Sequence, residues 1–314
     1  MKNINNGDYL LSVIIPVYNE EGNITELYNR IKKQVDDYLN IKYEIIFIDD
    51  GSFDKTWEII NSIHKKNNLV KGIKLSRNFG HQNALKAGID LAKGDSVISL
   101  DGDLQQPPEL IPKFYNYWLE GYDIVFGSRE DTKGVSIFKK ISSNLYYKIL
   151  NFLSGSKLEK GSSDFRLLDR KVVEELKKFN ESTLFIRGII GWLGYKSKSI
   201  KYKADERLHG HTKYSFSRMT KFAIDGIMSF SIKPLRIATI LGVLISFTGF
   251  CYIIYALYIK LFLDTAIQGW TSILVSVLFI GGIQLLCIGI VGEYVGKLFI
   301  ESKKRQLYII EKIL

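Results

Sequence analysis

Cysteine is scarce in this 314-residue chain, and its scarcity excludes one class of small secreted protein. Cys251 and Cys287, the two cysteines, both lie within long apolar runs, so the sequence has no framework of paired cysteines like those that hold small extracellular domains together. With 46% hydrophobic and 24% charged residues, the chain is neither a disordered tail nor a fibrous repeat. Its stability must come from the burial of apolar side chains.

Two phosphate-binding signatures are also missing. No G-x-G-x-x-G follows the first predicted strand, and no G-x-x-x-x-G-K is present. Dinucleotide-binding and P-loop proteins use these glycines to bring backbone N–H groups against phosphate. Any phosphate that the chain binds must therefore be held by other groups.

The net positive charge of the chain comes from two stretches. Residues 196–236 carry ten Lys and Arg against three Asp and Glu, and residues 297–314 carry five against two, so these stretches account for the whole net charge of +10. Both flank apolar runs, whereas a nucleic-acid-binding protein presents its basic patch on a separate face or with a recognisable motif. The charge pattern predicts contact with a membrane surface and not with nucleic acid.

The apolar runs are long enough to cross a bilayer. Residues 237–259 and 265–292 contain no charged side chain over 23 and 28 residues. At about 1.5 Å per residue, either run exceeds the roughly 30 Å hydrocarbon core when it is helical. The sequence therefore predicts two transmembrane helices, and the alternative is a pair of buried helices in a soluble core.

The cations around these runs predict their orientation. Lys233 and Arg236 precede the first run, and the second is followed by Lys297, Lys303, Lys304 and Arg305. The positive-inside rule therefore places both ends in the cytoplasm and the connector outside. The N-terminal apolar run, 9–18, is short and is interrupted by Pro16. We therefore expect no cleavable signal, and residues 1 to about 195 are predicted to be cytoplasmic.

Strand and helix patterns alternate over the first hundred residues. A capping box of Asn23 and Glu26 predicts the start of the first helix. Further helices are expected from about 54 to 66 and from 79 to 92, between strands at 11–17, 43–48, 70–75 and 96–100. Alternation of this kind predicts parallel βαβ units with helices on both faces of the sheet. Binding sites in such sheets lie at the carboxyl ends of the strands.

Polar clusters follow the first, second and fourth predicted strands, so their side chains should meet at one edge of the sheet. They are Pro16, Tyr18, Asn19 and Glu20; Asp49, Asp50, Gly51 and Ser52; and Asp101, Gly102 and Asp103. Asp101 and Asp103 offer the hard oxygen ligands that suit Mg²⁺ or Mn²⁺, which would bridge them to a diphosphate. An ordinary turn also contains Asp and Gly, but the position of the pair after an apolar strand favours the metal site.

Several ordered motifs resemble those of a known family. They are Ser12–Glu21, Ile48–Ser52, Leu75–Gly80, Asp101–Gln105, Phe165–Asp169, Arg207–Lys213 and Lys233–Arg236. Together they resemble the family-2 glycosyltransferases with the GT-A fold. More narrowly, the chain is similar to the polyprenyl-phosphate glycosyltransferases, which include dolichyl-phosphate mannose synthase and bacterial undecaprenyl-phosphate glucosyltransferases. The similarity covers nearly the whole length.

The resemblance implies a division of the chain into four parts. A Rossmann-like α/β GT-A domain would occupy residues 1–213 on the cytoplasmic side. Interfacial amphipathic helices at 214–235 would follow, where aromatic and aliphatic residues alternate with cations. Two transmembrane helices would span 236–296, and 297–314 would form a basic cytoplasmic tail. The protein would then be a multi-pass protein of the plasma (inner) membrane, and relatives with paired spans can assemble as tetramers.

The implied activity is inverting transfer of one sugar from a nucleotide sugar to the phosphate of a polyprenyl carrier. UDP-glucose is the preferred donor by resemblance, and UDP-N-acetylglucosamine is the alternative. A polymerising synthase would be expected to show more spans and a Q-x-x-R-W element, which the sequence lacks. A non-catalytic membrane adaptor would have no physical need for carboxylates at all three strand ends.

The resemblance also implies roles for single residues. The nucleotide sugar would be bound by Pro16, Tyr18, Glu20, Ile48, Asp50, Asp101, Gly102, Asp103 and Arg129, and the metal by Asp101, Asp103 and Gln105. Arg129 would give a fixed guanidinium to the phosphates. The catalytic group would comprise Asp103, Arg129 and Asp164, the last either as a base or in positioning the acceptor.

The acceptor phosphate would be held by Lys139, Ser143, Arg207 and Lys213. Lys139 and Ser143 lie four residues apart, so in a helix they face the same side. Relatives have an arginine at the position of Lys139, and a lysine there cannot make the bidentate contact of a guanidinium. Because a phosphate monoester is already ionised near neutral pH, with a second pKa of about 6, a strong base is less necessary than for a hydroxyl acceptor.

Overall fold

The computed structural model describes residues 9–129, 162–182, 184–203, 232–262 and 269–314. They fall into two compact units. One is a mixed sheet with its covering helices, which the chain segment from Arg305 to Leu314 rejoins. The other contains two long apolar helices.

In the sheet unit, strands and helices follow one another along the chain. The elements are β1 (Leu10–Val17), α1 (Ile24–Lys33), β2 (Lys42–Asp49), α2 (Thr56–Lys66), β3 (Val70–Leu75), α3 (His81–Leu91), β4 (Ser96–Ser99), α4 (Ile111–Leu119), β5 (Ile124–Arg129), β6 (Ser162–Asp169), α5 (Arg170–Lys177), α6 (Ile186–Leu193), β7 (Ser197–Tyr202) and, after the long helices, β8 (Ile310–Ile313). A π-helical turn, Gln34–Leu39, extends α1, and a 3₁₀ turn, Pro108–Leu110, precedes α4.

The strand order is β7-β5-β6-β4-β1-β2-β3-β8. The predicted parallel series is confirmed for β1 to β4. Beyond it, β6 lies antiparallel between β4 and β5, and β8 lies antiparallel on β3. Neither of these strands was predicted from the sequence, and the residues of β8 were expected to belong to the basic tail.

The side chains of β1 alternate between two apolar layers. Leu11, Val13 and Ile15 are fully buried in the core that includes α1. On the other face, Gly88 brings α3 close to the sheet, since a Cβ there would lie 2.8 Å from Ile48 Cδ1. Helices on both faces thus hold the ends of the parallel strands in fixed positions.

The predicted capping box at the start of α1 is wrong. Asn23 precedes the helix with helical backbone angles, and its side chain makes no capping hydrogen bond. Instead, Asn23 Nδ2 donates to Glu20 Oε2 at 2.6 Å. The Asn23 backbone N–H donates to the Glu20 carbonyl at 2.9 Å, so a tight turn takes the place of the extended residue that a capping box requires.

The second unit consists of α7 (Lys233–Phe262) and α8 (Trp270–Ser302). Both contain a window long and apolar enough to cross a membrane, and almost none of either window is buried. Large side chains such as Phe247 and Leu285 are exposed, which would be unfavourable in water. The helices are therefore consistent with membrane association, whereas buried soluble-core helices would have covered side chains.

A buried carboxylate ties the starts of the parallel strands together. Glu44 Oε1 in β2 accepts from Ser12 Oγ at 2.6 Å and from the Lys93 N–H at 2.8 Å, and Lys71 donates to its other oxygen. Burial alone would raise the pKa of Glu44, but the hydrogen bonds from Lys71, Ser12 and Lys93 outweigh it and lower the pKa. The ionised form is therefore favoured in the folded state.

We predict that Glu44→Gln lowers the free energy of unfolding at pH 7 by about 2 kcal/mol, because hydrogen bonds to a buried charge are lost. The folded-state pKa lies below the ordinary value of 4.5. The stabilisation by Glu44 is therefore present above pH 4.5 and is lost as the pH falls through the folded-state pKa. Thermal unfolding in detergent from pH 7 to pH 3.5 should show the gap closing on acidification. A gap independent of pH, or equal to that of the exposed control Glu58→Gln, would contradict this.

Candidate functional site

Two loops at the carboxyl ends of β1 and β2 are tied together by reciprocal hydrogen bonds. The Asn19 N–H donates to Ser52 Oγ at 2.9 Å, and the Phe53 N–H donates to Asn19 Oδ1 at 2.9 Å. The Glu20 N–H donates to Thr56 Oγ1 at 2.9 Å. Polar residues shared with the family motifs therefore fix the loops themselves, and Asn19 adopts a left-handed conformation, with φ +53°, to do so.

A pocket of about 320 Å³ opens beside these loops, at the carboxyl ends of the parallel strands. Its lining residues are Pro16, Val17, Tyr18, Glu20, Asp50, Asn78, Gly80, His81, Ala84, Asp101, Gly102, Asp103, Asp164 and Arg187. The three predicted polar clusters thus meet in one place. This volume lies within the range of sites for small ligands.

Asp50 supports the loop that precedes α3. Its carboxylate accepts from the Phe79 N–H at 2.7 Å and from the Gly80 N–H at 2.9 Å. Burial raises the pKa of Asp50, and these two hydrogen bonds oppose the rise. Because these N–H groups bond to Asp50 and Gly80 has φ +94°, α3 begins at His81 and not at the predicted Phe79.

Asp101 is held by a glutamine that sequence reasoning missed. The Asp101 N–H donates to Gln106 Oε1 at 2.9 Å, and Gln106 Nε2 donates to Asp101 Oδ2. The other carboxylate oxygen, Oδ1, lies 3.4 Å from His81 Nε2. Burial raises the pKa of Asp101 to about 6, against the opposing effect of His81. The loop beyond contains a buried Leu104 with φ +61°, a strained conformation of the kind that concentrates at functional sites.

Asp164 is a buried lining residue of the pocket and forms a bidentate ion pair. Arg187 Nε donates to Oδ1 and Nη2 donates to Oδ2, both at 2.7 Å. Gln82 Nε2 donates to Oδ2 at 3.2 Å, and His81 Nε2 lies 3.4 Å from the same oxygen. Burial would raise the pKa of Asp164, but Arg187 and His81 hold it well below the ordinary value.

His81 lies between two carboxylates of the pocket, those of Asp101 and Asp164. Burial would lower the pKa of the imidazole, but the hydrogen bond to Asp164 and the charges of both carboxylates raise it to about 9. The side chain is therefore cationic at neutral pH in this arrangement. It gives the acidic pocket a positive charge at the N-terminus of α3.

Three predicted ligands lie apart from the lining. Ile48 is fully buried under α3, so its side chain supports the pocket from below. Gln105 is half-buried, and its backbone N–H donates to Asp103 Oδ1 at 3.2 Å. Arg129 is the exposed last residue of β5. The four acceptor-phosphate residues, Lys139, Ser143, Arg207 and Lys213, lie outside the described residues, as do nearly all of the predicted interfacial helices and the connector between the spans.

Sequence reasoning missed His81, Arg187 and Gln106. His81 follows the Leu75–Gly80 motif directly, so its position after β3 was an available signal. Gln106 stands beside Gln105, and only the loop geometry distinguishes them. Arg187 had no sequence signal, because its partner Asp164 is 23 residues away.

Asp101 and Asp103 fit a divalent cation that shares its ligands with a substrate. Within the described ranges, no cluster of three or more His, Cys, Asp and Glu side chains could hold a metal ion by itself. Mg²⁺ in phosphate-transfer sites is commonly bound by one or two carboxylates and completes its shell with phosphate oxygens and water. The two aspartates meet that requirement only when a phosphate-bearing ligand is present.

The mixed sheet, with an acidic pocket at the ends of its parallel strands, is a GT-A-like α/β fold. The model for glycosyl transferase family 2 matches residues 12–177, and the model for the GtrB C-terminal hairpin matches residues 233–298. The chain belongs to glycosyltransferase family 2.

Three curated relatives match almost end to end. The uncharacterized glycosyltransferase YkcC of Bacillus subtilis is 44% identical over 96% of this chain and 93% of its own length. The prophage bactoprenol glucosyl transferase homolog of Escherichia coli K12 is 39% identical over 96% and 99%. The bactoprenol glucosyl transferase of Shigella phage SfV is 39% identical over 96% and 98%.

Gly51 lies where two loops beside the pocket pack closely against each other. It has φ +71°, and a Cβ there would lie 2.6 Å from the Arg77 carbonyl carbon and 2.8 Å from Asn78 N. Gly121 has φ +94° with nothing within 4 Å of a Cβ. We predict that Gly121→Ala lowers the free energy of unfolding by about 1 kcal/mol through backbone strain. Gly51→Ala should lower it by about 1–3 kcal/mol more, because the neighbouring backbone must also move. Equal thermal unfolding midpoints for the two variants would contradict the close contact.

Proposed function

We propose that the protein transfers a single sugar from a UDP-sugar, UDP-glucose in the first instance, to a polyprenyl phosphate at the cytoplasmic face of the plasma membrane. The observation that carries the proposal is the pocket that joins Asp101 and Asp103 to the predicted nucleoside-binding residues, in a chain with two exposed apolar helices. The bactoprenol glucosyl transferase names of two relatives support the acceptor and the glucose.

Each part of the pocket has a task in this reaction. Tyr18, Glu20 and Asp50 would contact the nucleoside, and Asp50 also holds the Phe79–Gly80 loop in place. Asp101 and Asp103 would hold Mg²⁺ or Mn²⁺ against the diphosphate. The bound cation would offset the negative charge that develops on the leaving nucleotide.

Asp164 fits the positioning role better than the role of a base. Both of its oxygens accept hydrogen bonds from Arg187, and a carboxylate with a strongly lowered pKa is a weak proton acceptor. The acceptor phosphate needs little deprotonation near neutral pH, since its second pKa is about 6. Attack by the phosphate oxygen therefore requires alignment and charge compensation more than proton removal.

The acceptor side of the proposal includes residues outside the described ranges. Lys139, Ser143, Arg207 and Lys213 would hold the lipid phosphate, and the basic residues on either side of α7 and α8 would keep both ends of the hairpin in the cytoplasm. A tetramer, as relatives with paired spans can form, belongs to the same proposal.

The proposed reaction is tested in membranes that contain the protein and polyprenyl phosphate. With radiolabelled UDP-glucose, we expect label in the lipid extract only when Mg²⁺ or Mn²⁺ is present. Asp103→Asn should remove most of it, about 100-fold, because a metal ligand is lost. The matched control is Asp37→Asn, an exposed aspartate of the Gln34–Leu39 turn.

The outcome also separates the alternatives. A donor panel with mass spectrometry of the lipid product distinguishes UDP-glucose from UDP-N-acetylglucosamine. Transfer that survives EDTA would contradict the metal assignment. The absence of lipid product with every nucleotide sugar would contradict the enzyme and favour the adaptor.

The neighbouring glutamines Gln105 and Gln106 give a second prediction. Gln106 is buried and bonds to Asp101 through both amide atoms, so Gln106→Leu should raise the Mn²⁺ concentration required for half-maximal transfer by about tenfold or more. Mn²⁺ titrations in the presence of UDP, read by electron paramagnetic resonance, measure the same change without turnover. If Gln105→Leu has the larger effect on both readouts, the predicted third ligand is the more important glutamine.

A further inference from the structure

The described residues that line the pocket carry more negative charge than positive charge. Among the described residues that line it, five are carboxylates, and the cationic side chains are His81 and Arg187. A nucleotide diphosphate and a lipid phosphate would add further negative charge to the same volume. Bringing these anions together in a partly desolvated site requires fixed cations near the phosphate oxygens.

Arg187 lies where such a cation is needed. Both Arg187 and its partner Asp164 line the pocket, but the Arg187 side chain is 34% exposed, whereas that of Asp164 is 4% exposed. The bidentate bond uses Nε and Nη2 of the guanidinium. A guanidinium fixed in this way loses little conformational freedom when it binds an anion.

The support behind Arg187 is built from more than one element. Asp164 lies in β6, Gln82 and His81 lie at the start of α3, and Arg187 lies at the start of α6. Gln82 connects Asp164 to the backbone just before Arg187, since Nε2 donates to Asp164 Oδ2 and Oε1 accepts from the Ile186 N–H, each at 3.2 Å. The ends of two helices and one strand therefore fix the direction of the guanidinium.

We propose that Arg187 is a phosphate-binding residue of the transfer site, and that Asp164 and Gln82 act through it as positioning residues. The ligand is a phosphate oxygen, from either the diphosphate of the UDP-sugar or the phosphate of the lipid acceptor. The inference rests on the proposed function and adds to it a cation that neither the sequence motifs nor the resemblance assigned. It also gives Asp164 a task in which it stays ionised.

The test compares Arg187→Gln and Arg187→Lys in the full-length protein in detergent. Binding of UDP and of uridine is measured by calorimetry, and the KM values for UDP-glucose and polyprenyl phosphate by transfer assay. If the ligand is the diphosphate, Arg187→Gln should weaken UDP binding at least tenfold and leave uridine binding unchanged. If it is the acceptor phosphate, the KM for polyprenyl phosphate should rise at least tenfold while UDP binding is unchanged.

Arg187→Lys keeps the charge but loses the bidentate geometry of the guanidinium, so this variant should fold. Its value of whichever constant Arg187→Gln changes, for UDP binding or for polyprenyl phosphate, should lie between those of the wild type and Arg187→Gln. Asp164→Asn should move that constant in the same direction by a smaller factor, which identifies positioning. The matched control is Arg30→Gln, since Arg30 makes the same Nε and Nη2 bidentate pair, with Glu109, away from the pocket lining.

Several results would overturn the inference. One is Arg187→Gln with every constant within twofold of the wild type. Another is equal weakening of UDP binding and uridine binding. Uridine has no phosphate, so loss of its binding would show that the pocket had collapsed. A third is a lowered unfolding midpoint in both Arg187 variants without a change in any constant. A wild-type protein that neither binds UDP nor transfers sugar would instead contradict the proposed function, and this inference with it.

Discussion

Five carboxylates line the pocket in the described part of the chain, and their mutual repulsion must be compensated for the pocket to persist. The protein compensates three of them in different ways. Asp50 accepts two backbone N–H groups, Asp101 is held by the Gln106 amide and faces His81, and Asp164 is paired with Arg187. Each compensation also fixes a segment: the loop before α3, the turn after β4 and the start of α6. The contacts that compensate the negative charges are therefore the same contacts that fix the loops.

This arrangement explains why so many motif residues are polar without contacting the pocket. Asn19, Ser52 and Thr56 bond one loop to the next, so they set the position of the strand ends from which Tyr18 and Asp50 project. Gly51 allows the backbone of Arg77 and Asn78 to approach. A substitution in this layer would displace ligand-contacting residues without touching a ligand, which is how small errors of position reduce catalysis.

The parallel series was predictable because apolar runs of β1 to β4 alternate with helical periodicity and end in polar clusters. The strands β6 and β8 were not, because β6 contains Asp164 and Arg166 in its buried interior, and the four residues of β8 follow a long helix with no turn signal of their own. The predicted acidic residues met as expected because strand ends converge. The roles of the two cations, His81 and Arg187, could not be predicted from the sequence, because they depend on carboxylates that only the fold brings next to them.

Under the proposed reaction, both substrates are anions at the reacting centre, and this decides which chemistry the pocket must supply. A general base contributes when a neutral hydroxyl must lose a proton, but an ionised phosphate already has its nucleophilic oxygen. The larger barrier is the approach of one anion to another in a site lined with carboxylates. A carboxylate that remains ionised can still assist, provided that it fixes a cation between itself and the substrate. Asp164 is buried and paired with the more exposed Arg187, an arrangement in which the acidic residue contributes by directing a guanidinium and not by accepting a proton.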